Sequence, residues 1–134
     1  MISLISYNNK KIFKTYVKNQ RFGPYYIPVR FQNQLLKKYC EDKNMIFALS
    51  IGEITFSETH IQLRSLLDSL KKNQGILFMS VYVLPTNKNI FENIIKIISK
   101  KKIECHFLIE NIIIKNKNDI KKLHNFFKLK KIFN

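Results

Sequence analysis

The stretch Gly75-Ile76-Leu77-Phe78-Met79-Ser80-Val81-Tyr82-Val83-Leu84-Pro85 decides the fold. From Ile76 to Leu84 only Ser80 and Tyr82 interrupt an apolar run, which reads as a strand that Pro85 brings to an end. Asn87 to Lys101 then turns periodic and reads as a helix. A strand delivered straight into an amphipathic helix is half of a βαβ unit, so the same alternation is expected on either side of it.

The alternation is there in both directions. Upstream, Lys11 to Lys18 interleaves Ile12, Lys14 and Tyr16 with Phe13, Thr15 and Val17 and predicts a first strand. Asn19 to Ile27 carries Gly23 and Pro24 and predicts a loop. A helix is expected from Pro28, where the first turn tolerates a missing N–H. In that helix Phe31, Leu35 and Tyr39 recur every four residues with Leu36 and Cys40, opposite Lys37, Lys38, Glu41 and Asp42. Met45 to Ser50 is too short for a helix and predicts a buried second strand, followed by a loop holding Glu53. Glu58 to Lys72 puts Ile61, Leu63, Leu66, Leu67 and Leu70 on one stripe, with Ser57 as N-cap and Gly75 closing the segment.

Downstream, Ile103 to Glu110 predicts a fourth strand, Ile112 to Ile114 extends or follows it, and Asp119 to Leu129 predicts a Lys-rich terminal helix. The expected architecture is a single α/β domain over residues 1–134. It is a three-layer α/β/α sandwich with a mostly parallel sheet of four strands, or five if Ile112 to Ile114 stands alone, resolvase-like or flavodoxin-like. The expected strand order is 2-1-3-4.

Composition sets the outer limits. At 134 residues and 46% hydrophobic, with 11 Phe and 6 Tyr, the chain has enough apolar surface to exclude a disordered protein. Twenty-four basic against nine acidic residues give a formal charge of +15, which on its own suggests an anionic partner. All but Arg21, Arg30 and Arg64 of these are Lys, however, and bidentate phosphate recognition favours Arg. Lys, Ile and Asn enriched together are what an A·T-rich coding sequence produces, so composition is the first explanation of the charge and polyanion binding the second. Cys40 and Cys105 are isolated in apolar surroundings, which argues against a disulfide or zinc site. No apolar run spans a bilayer, and Met1 to Asn9 lack the features of a signal peptide, so a cytoplasmic protein without a membrane span is expected. No Gly-rich phosphate loop and no metal-ligand spacing occurs; no cofactor and no metal are expected.

Parallel sheets bind ligands beyond the carboxyl ends of their strands. Asn19, Gln20 and Arg21 follow the first strand, Glu53 the second, Ser80 and Tyr82 lie late in the third, and Glu110 with Asn111 ends the fourth. Arg30, Gln32 and Asn33 sit in the first turns of the first helix. Two carboxylates, an arginine, two amides and a hydroxyl match a polyhydroxylated ligand carrying a carboxylate or phosphate. The same residues can equally serve the loops themselves, Glu53 and Glu110 as caps and Gln32 as a backbone tie. His106 faces one side of its strand, where a hydrogen-bonded half-buried histidine and a catalytic one both fit. His60 and His124 read as surface helix positions.

Arg21-Phe22, Ile27-Pro28-Val29, Gln32-Asn33, Tyr39, Leu49-Ser50, Glu53, Leu66-Leu67, Gly75-Ile76, Ser80, Leu84-Pro85, His106-Phe107 and Glu110 carry a resemblance. Across Tyr16 to Ile114 the chain resembles the sporadic carbohydrate cluster protein family, small bacterial proteins encoded among surface-polysaccharide and unusual-sugar genes. The resemblance implies a setting in glycan or sugar-nucleotide metabolism and no particular reaction. In order of elements the chain is also similar to the catalytic domain of serine recombinases. Where that chemistry needs a nucleophilic Ser and an Asp-Arg pair, this sequence reads Lys18-Asn19-Gln20 and Leu84-Pro85-Thr86, so the similarity implies architecture only.

The leading expectation is a small enzyme or accessory protein of bacterial surface-glycan biosynthesis that binds a sugar or sugar nucleotide. Glu53, Glu110 and His106 are the catalytic candidates, and Arg21, Arg30, Gln32, Asn33, Ser80 and Tyr82 the binding candidates. The alternative is a non-enzymatic nucleic-acid or protein-binding module on a degenerate recombinase-like scaffold. A third reading is a partner of a glycan enzyme, using the Tyr25-Tyr26 loop or a helix face for homo-oligomeric or heteromeric contact.

Overall fold

The computed structural model describes residues 10–48, 51–53 and 60–133, with backbone alone at 51–53 and 130–133. In chain order the elements are β1 (Ile12–Lys18), α1 (Val29–Asp42), β2 (Ile46–Phe47), β3 (Ile51–Glu53), α2 (Ile61–Ser69), β4 (Gln74–Phe78), a 3-10 turn (Val81–Val83), α3 (Lys88–Lys101), β5 (Glu104–Phe107), β6 (Ile112–Ile114) and α4 (Lys117–Phe133).

The strands form one sheet in the order β2-β1-β4-β5-β6, with β3 also paired to β1. β2 meets Ile12 and Phe13 while β3 meets Tyr16 to Lys18, so the two act as one interrupted strand beside β1. Counted that way, the order is the expected one. All pairings are parallel except β5 with β6, which runs antiparallel because only a short turn joins them.

Helices cover both faces, and β1 shows how. Phe13 lies edge-on to the His106 ring, which also meets Tyr39 of α1. The next residue, Lys14, points the other way and its Nζ donates to Ser69 Oγ of α2. On that second face α3 lies beside α2, with Lys101 Nζ donating to the α2 carbonyls of Leu67 and Asp68. α4 follows, stacking Phe127 on Phe91 of α3. α3 starts where Asn87 Oδ1 accepts the N–H groups of Asn89 and Ile90, and stops where Lys102 turns left-handed at φ 54°.

The core is continuous through Phe13, Tyr16, Leu36, Leu63, Leu67, Ile76, Phe78, Phe91 and Phe107, all buried. Gly75 is required beneath it. A Cβ there would lie 2.3 Å from the Phe13 ring and 2.8 Å from the Glu104 carbonyl oxygen, so the ring occupies the space a side chain would take.

Several local expectations are corrected. β4 ends at Phe78 rather than running to Leu84, because the Glu110 carboxylate captures the groups of Ser80 and Val81 and the chain coils into a 3-10 turn. Apolarity alone does not separate a strand from a buried turn. The buried stripe of α1 is Gln32, Leu36 and Cys40, while Phe31 and Leu35 are exposed. His60 is buried, at the left-handed position before α2, and α2 is shorter than expected. His124 is half-buried against Phe91 and Glu92. Ser57, Leu49 and Ser50 lie outside the described residues.

Candidate functional site

The carboxyl edge of the sheet is built around the loop after β1. Phe22 and Tyr25 exchange backbone hydrogen bonds across a tight turn in which Gly23 has φ +60°. The Tyr82 ring sits directly on Gly23, 2.4 Å from where a Cβ would be, and between Tyr25 and Phe126. This aromatic stack folds the loop over the ends of β1 and β4. Tyr82 therefore serves as packing between the two segments.

Gln32 anchors the same loop from below. It is fully buried, and its Nε2 donates to the carbonyls of Lys18 at 2.8 Å and Ile27 at 2.6 Å. This is the backbone-tie role. With both donors spent, Gln32 Oε1 remains buried with no partner among the described residues, as does Asn33 Oδ1 beside it. Two acceptor oxygens without donors thus lie in the first turn of α1, near the end of β1.

Ser80 and Glu110 come together across the β4–β5 end. Ser80 Oγ donates to Glu110 Oε2 at 2.6 Å, Val81 N–H donates to Oε1 at 2.9 Å, and Tyr82 N–H donates to Ser80 Oγ. The carboxylate caps the 3-10 turn. Glu53 is the register partner of Lys18, which sets its backbone at the same edge on the other side of β1; its side chain lies outside the described residues. Arg21 is exposed, and Arg30 is exposed with its guanidinium over the Phe31 ring.

His106 is not part of this edge. It lies two residues into β5 on the α1 face and is 4% exposed. Its Nε2 is 2.6 Å from Glu104 Oε2, and its Nδ1 is 2.5 Å from the Tyr39 hydroxyl. Lys11 Nζ meets the other Glu104 oxygen at 3.1 Å. An ionised carboxylate only accepts, so the proton sits on Nε2 and Nδ1 accepts from Tyr39. Burial pushes the His106 pKa down, partly opposed by Glu104. Burial pushes Glu104 up, but the bonds from His106 and Lys11 outweigh it and hold the carboxyl below its ordinary range. Burial also raises Tyr39. The imidazole is therefore neutral at pH 7. Sequence reading missed Tyr39, Glu104 and Lys11 as its partners; the one available signal was that Glu104 and His106 share a strand face at spacing two.

No protein-family model, curated protein or solved structure matches the chain.

Among the described residues no group of three His, Cys, Asp or Glu could hold a metal ion, and no helix is long and apolar enough to cross a membrane. Cys40 and Cys105 are buried free thiols, and burial pushes Cys40 up to about 11. Thiols held protonated in this way are poor nucleophiles.

Proposed function

We propose that this protein binds a sugar or sugar nucleotide at the carboxyl edge of the sheet, in bacterial surface-glycan or unusual-sugar biosynthesis. The observation that carries the reading is the pair of buried acceptors, Gln32 Oε1 and Asn33 Oδ1, without partners among the described residues. A buried carbonyl left unpaired costs about 1–3 kcal/mol. Both oxygens are shut off from solvent, so a ligand rich in hydroxyl groups supplies the missing donors only as the loop after β1 moves aside, and Arg21 and Arg30 are the nearest guanidinium groups in sequence for its carboxylate or phosphate. The resemblance on Gln32-Asn33, Glu53, Ser80 and Glu110 supports the glycan setting. Glu110 is already spent on Ser80 and Val81, so Glu53 is the better acid or base if the bound sugar reacts.

The test is a thermal-shift screen against nucleotide-activated sugars, free acidic sugars and short duplex DNA at two salt concentrations, since a ligand of the native state raises its stability. A shift with a sugar or sugar nucleotide that Asn33→Leu abolishes supports the reading. A shift with DNA alone, growing as salt is lowered, or a sugar shift that Asn33→Leu leaves intact, overturns it.

A further inference from the structure

A cavity lies at the opposite end of the sheet from the edge just described. It has a volume of about 430 Å³ and opens between the end of α3, the end of β6 and the start of α4. Ile103 leads into β5 and Ile114 closes the antiparallel β6, which places both at the amino end of the parallel strands. The volume falls within the range of small-molecule sites.

Its walls divide by chemistry. The floor is Ile98, Ile103, Ile114 and Ile120, isoleucines from α3, the turn before β5, β6 and α4. The rim carries Lys102, Lys115 and Lys117, and none of the three has an acidic partner among the described residues. The carboxylates nearest in sequence, Glu104 and Asp119, are committed elsewhere: Glu104 holds Lys11 and His106, and Asp119 is spent within its own turn. Asp119 accepts from the Lys115 N–H at 2.9 Å and pairs with Lys122 at 3.3 Å. An apolar floor under an uncompensated cationic rim is complementary to a molecule with an alkyl chain and one anionic head. A fully apolar ligand would leave the lysines unanswered, and a bare inorganic anion would leave the isoleucines wet.

The geometry points to this cleft as a binding site for a single-chain amphiphile with a phosphate or carboxylate head, the chain against the isoleucines and the head among Lys102, Lys115 and Lys117. The site is separate from the carboxyl edge and does not depend on the sugar-binding reading.

The test uses the full chain and a series of monomeric hexyl, octyl and decyl phosphates below their micelle concentrations, with octanol and inorganic phosphate as the two half-ligands. Affinity is expected to rise with chain length, by up to about fourfold per methylene that enters the floor, and both half-ligands are expected to bind more weakly than octyl phosphate. Lys115→Gln with Lys117→Gln is expected to weaken octyl phosphate about fivefold at low salt, as two exposed charge contacts would. Ser99→Trp fills the mouth of the cleft and is expected to abolish binding of the whole series in a protein whose circular dichroism is unchanged. Asn33→Leu is expected to leave alkyl phosphate binding as it was, which separates the two sites. Affinity independent of chain length, octanol binding as tightly as octyl phosphate, or binding that survives Ser99→Trp overturns the assignment. So does association with anionic vesicles without binding of the monomers.

Discussion

The hydroxyl of Tyr39 lies 2.5 Å from Nδ1 of His106, joining residues 67 apart in sequence and tying α1 to the middle of β5. Continued through Glu104 to Lys11, the bond makes a polar thread that crosses the α1 face of the sheet. Tyr39→Phe removes the one donor available to a nearly buried nitrogen. The expected result is a loss of about 1–3 kcal/mol in urea unfolding with an unchanged m-value. A loss near zero would show that the bond is not formed in solution.

Acid should loosen the same thread. The folded chain holds both His106 and Glu104 below their ordinary values, so each binds protons more readily when unfolded. The His106 contribution is complete above its unfolded value of 6.5 and is lost as pH falls through the lower folded value. The Glu104 contribution is complete above 4.5 and is lost in the same direction. Unfolding midpoints measured from pH 8 to pH 4 should therefore decline, and in His106→Gln the upper part of that decline should flatten. A wild-type profile that rises toward acid would contradict the assignment of a neutral imidazole.

Gly75 and Phe13 form a lock between β1 and β4. Gly75→Ala pushes a methyl into the Phe13 ring and against the Glu104 carbonyl, with an expected destabilisation of about 1–3 kcal/mol, typical of overpacking. Adding Phe13→Leu should recover part of that loss, since a smaller side chain clears the ring contact while the backbone contact stays. Equal and additive losses in the double variant would mean the two positions are uncoupled.

The order of elements was legible because β1 and the helices kept their own periods and the other strands stood out as short apolar runs between them. Lys11 to Lys18 alternates, and Asn87 to Lys101 carries a stripe with an Asn cap that the structure uses. What hydrophobicity hid was the polar wiring. Gln32, which the sequence offered equally as a ligand group or a backbone tie, spends its donors on Lys18 and Ile27. Ser80 and Glu110, 30 residues apart, find each other only because β4 and β5 are neighbours. The Phe31 and Leu35 ridge was misread for a simpler reason. A four-residue spacing marks a face of α1 without saying which face meets the sheet, and Gln32, with its backbone partners, took the inner place.

β1 stands between β2 with β3 on one side and β4 on the other, although it is the first of these strands to leave the ribosome. Its β4 edge stays bare until the chain through Phe78 has emerged, a span that includes all of α1 and α2. During that interval an apolar, half-paired strand is open to wrong partners, as non-local parallel pairing generally is. Slower translation between α2 and β4 would lengthen the exposure, and chaperone engagement would matter most at that stage of synthesis.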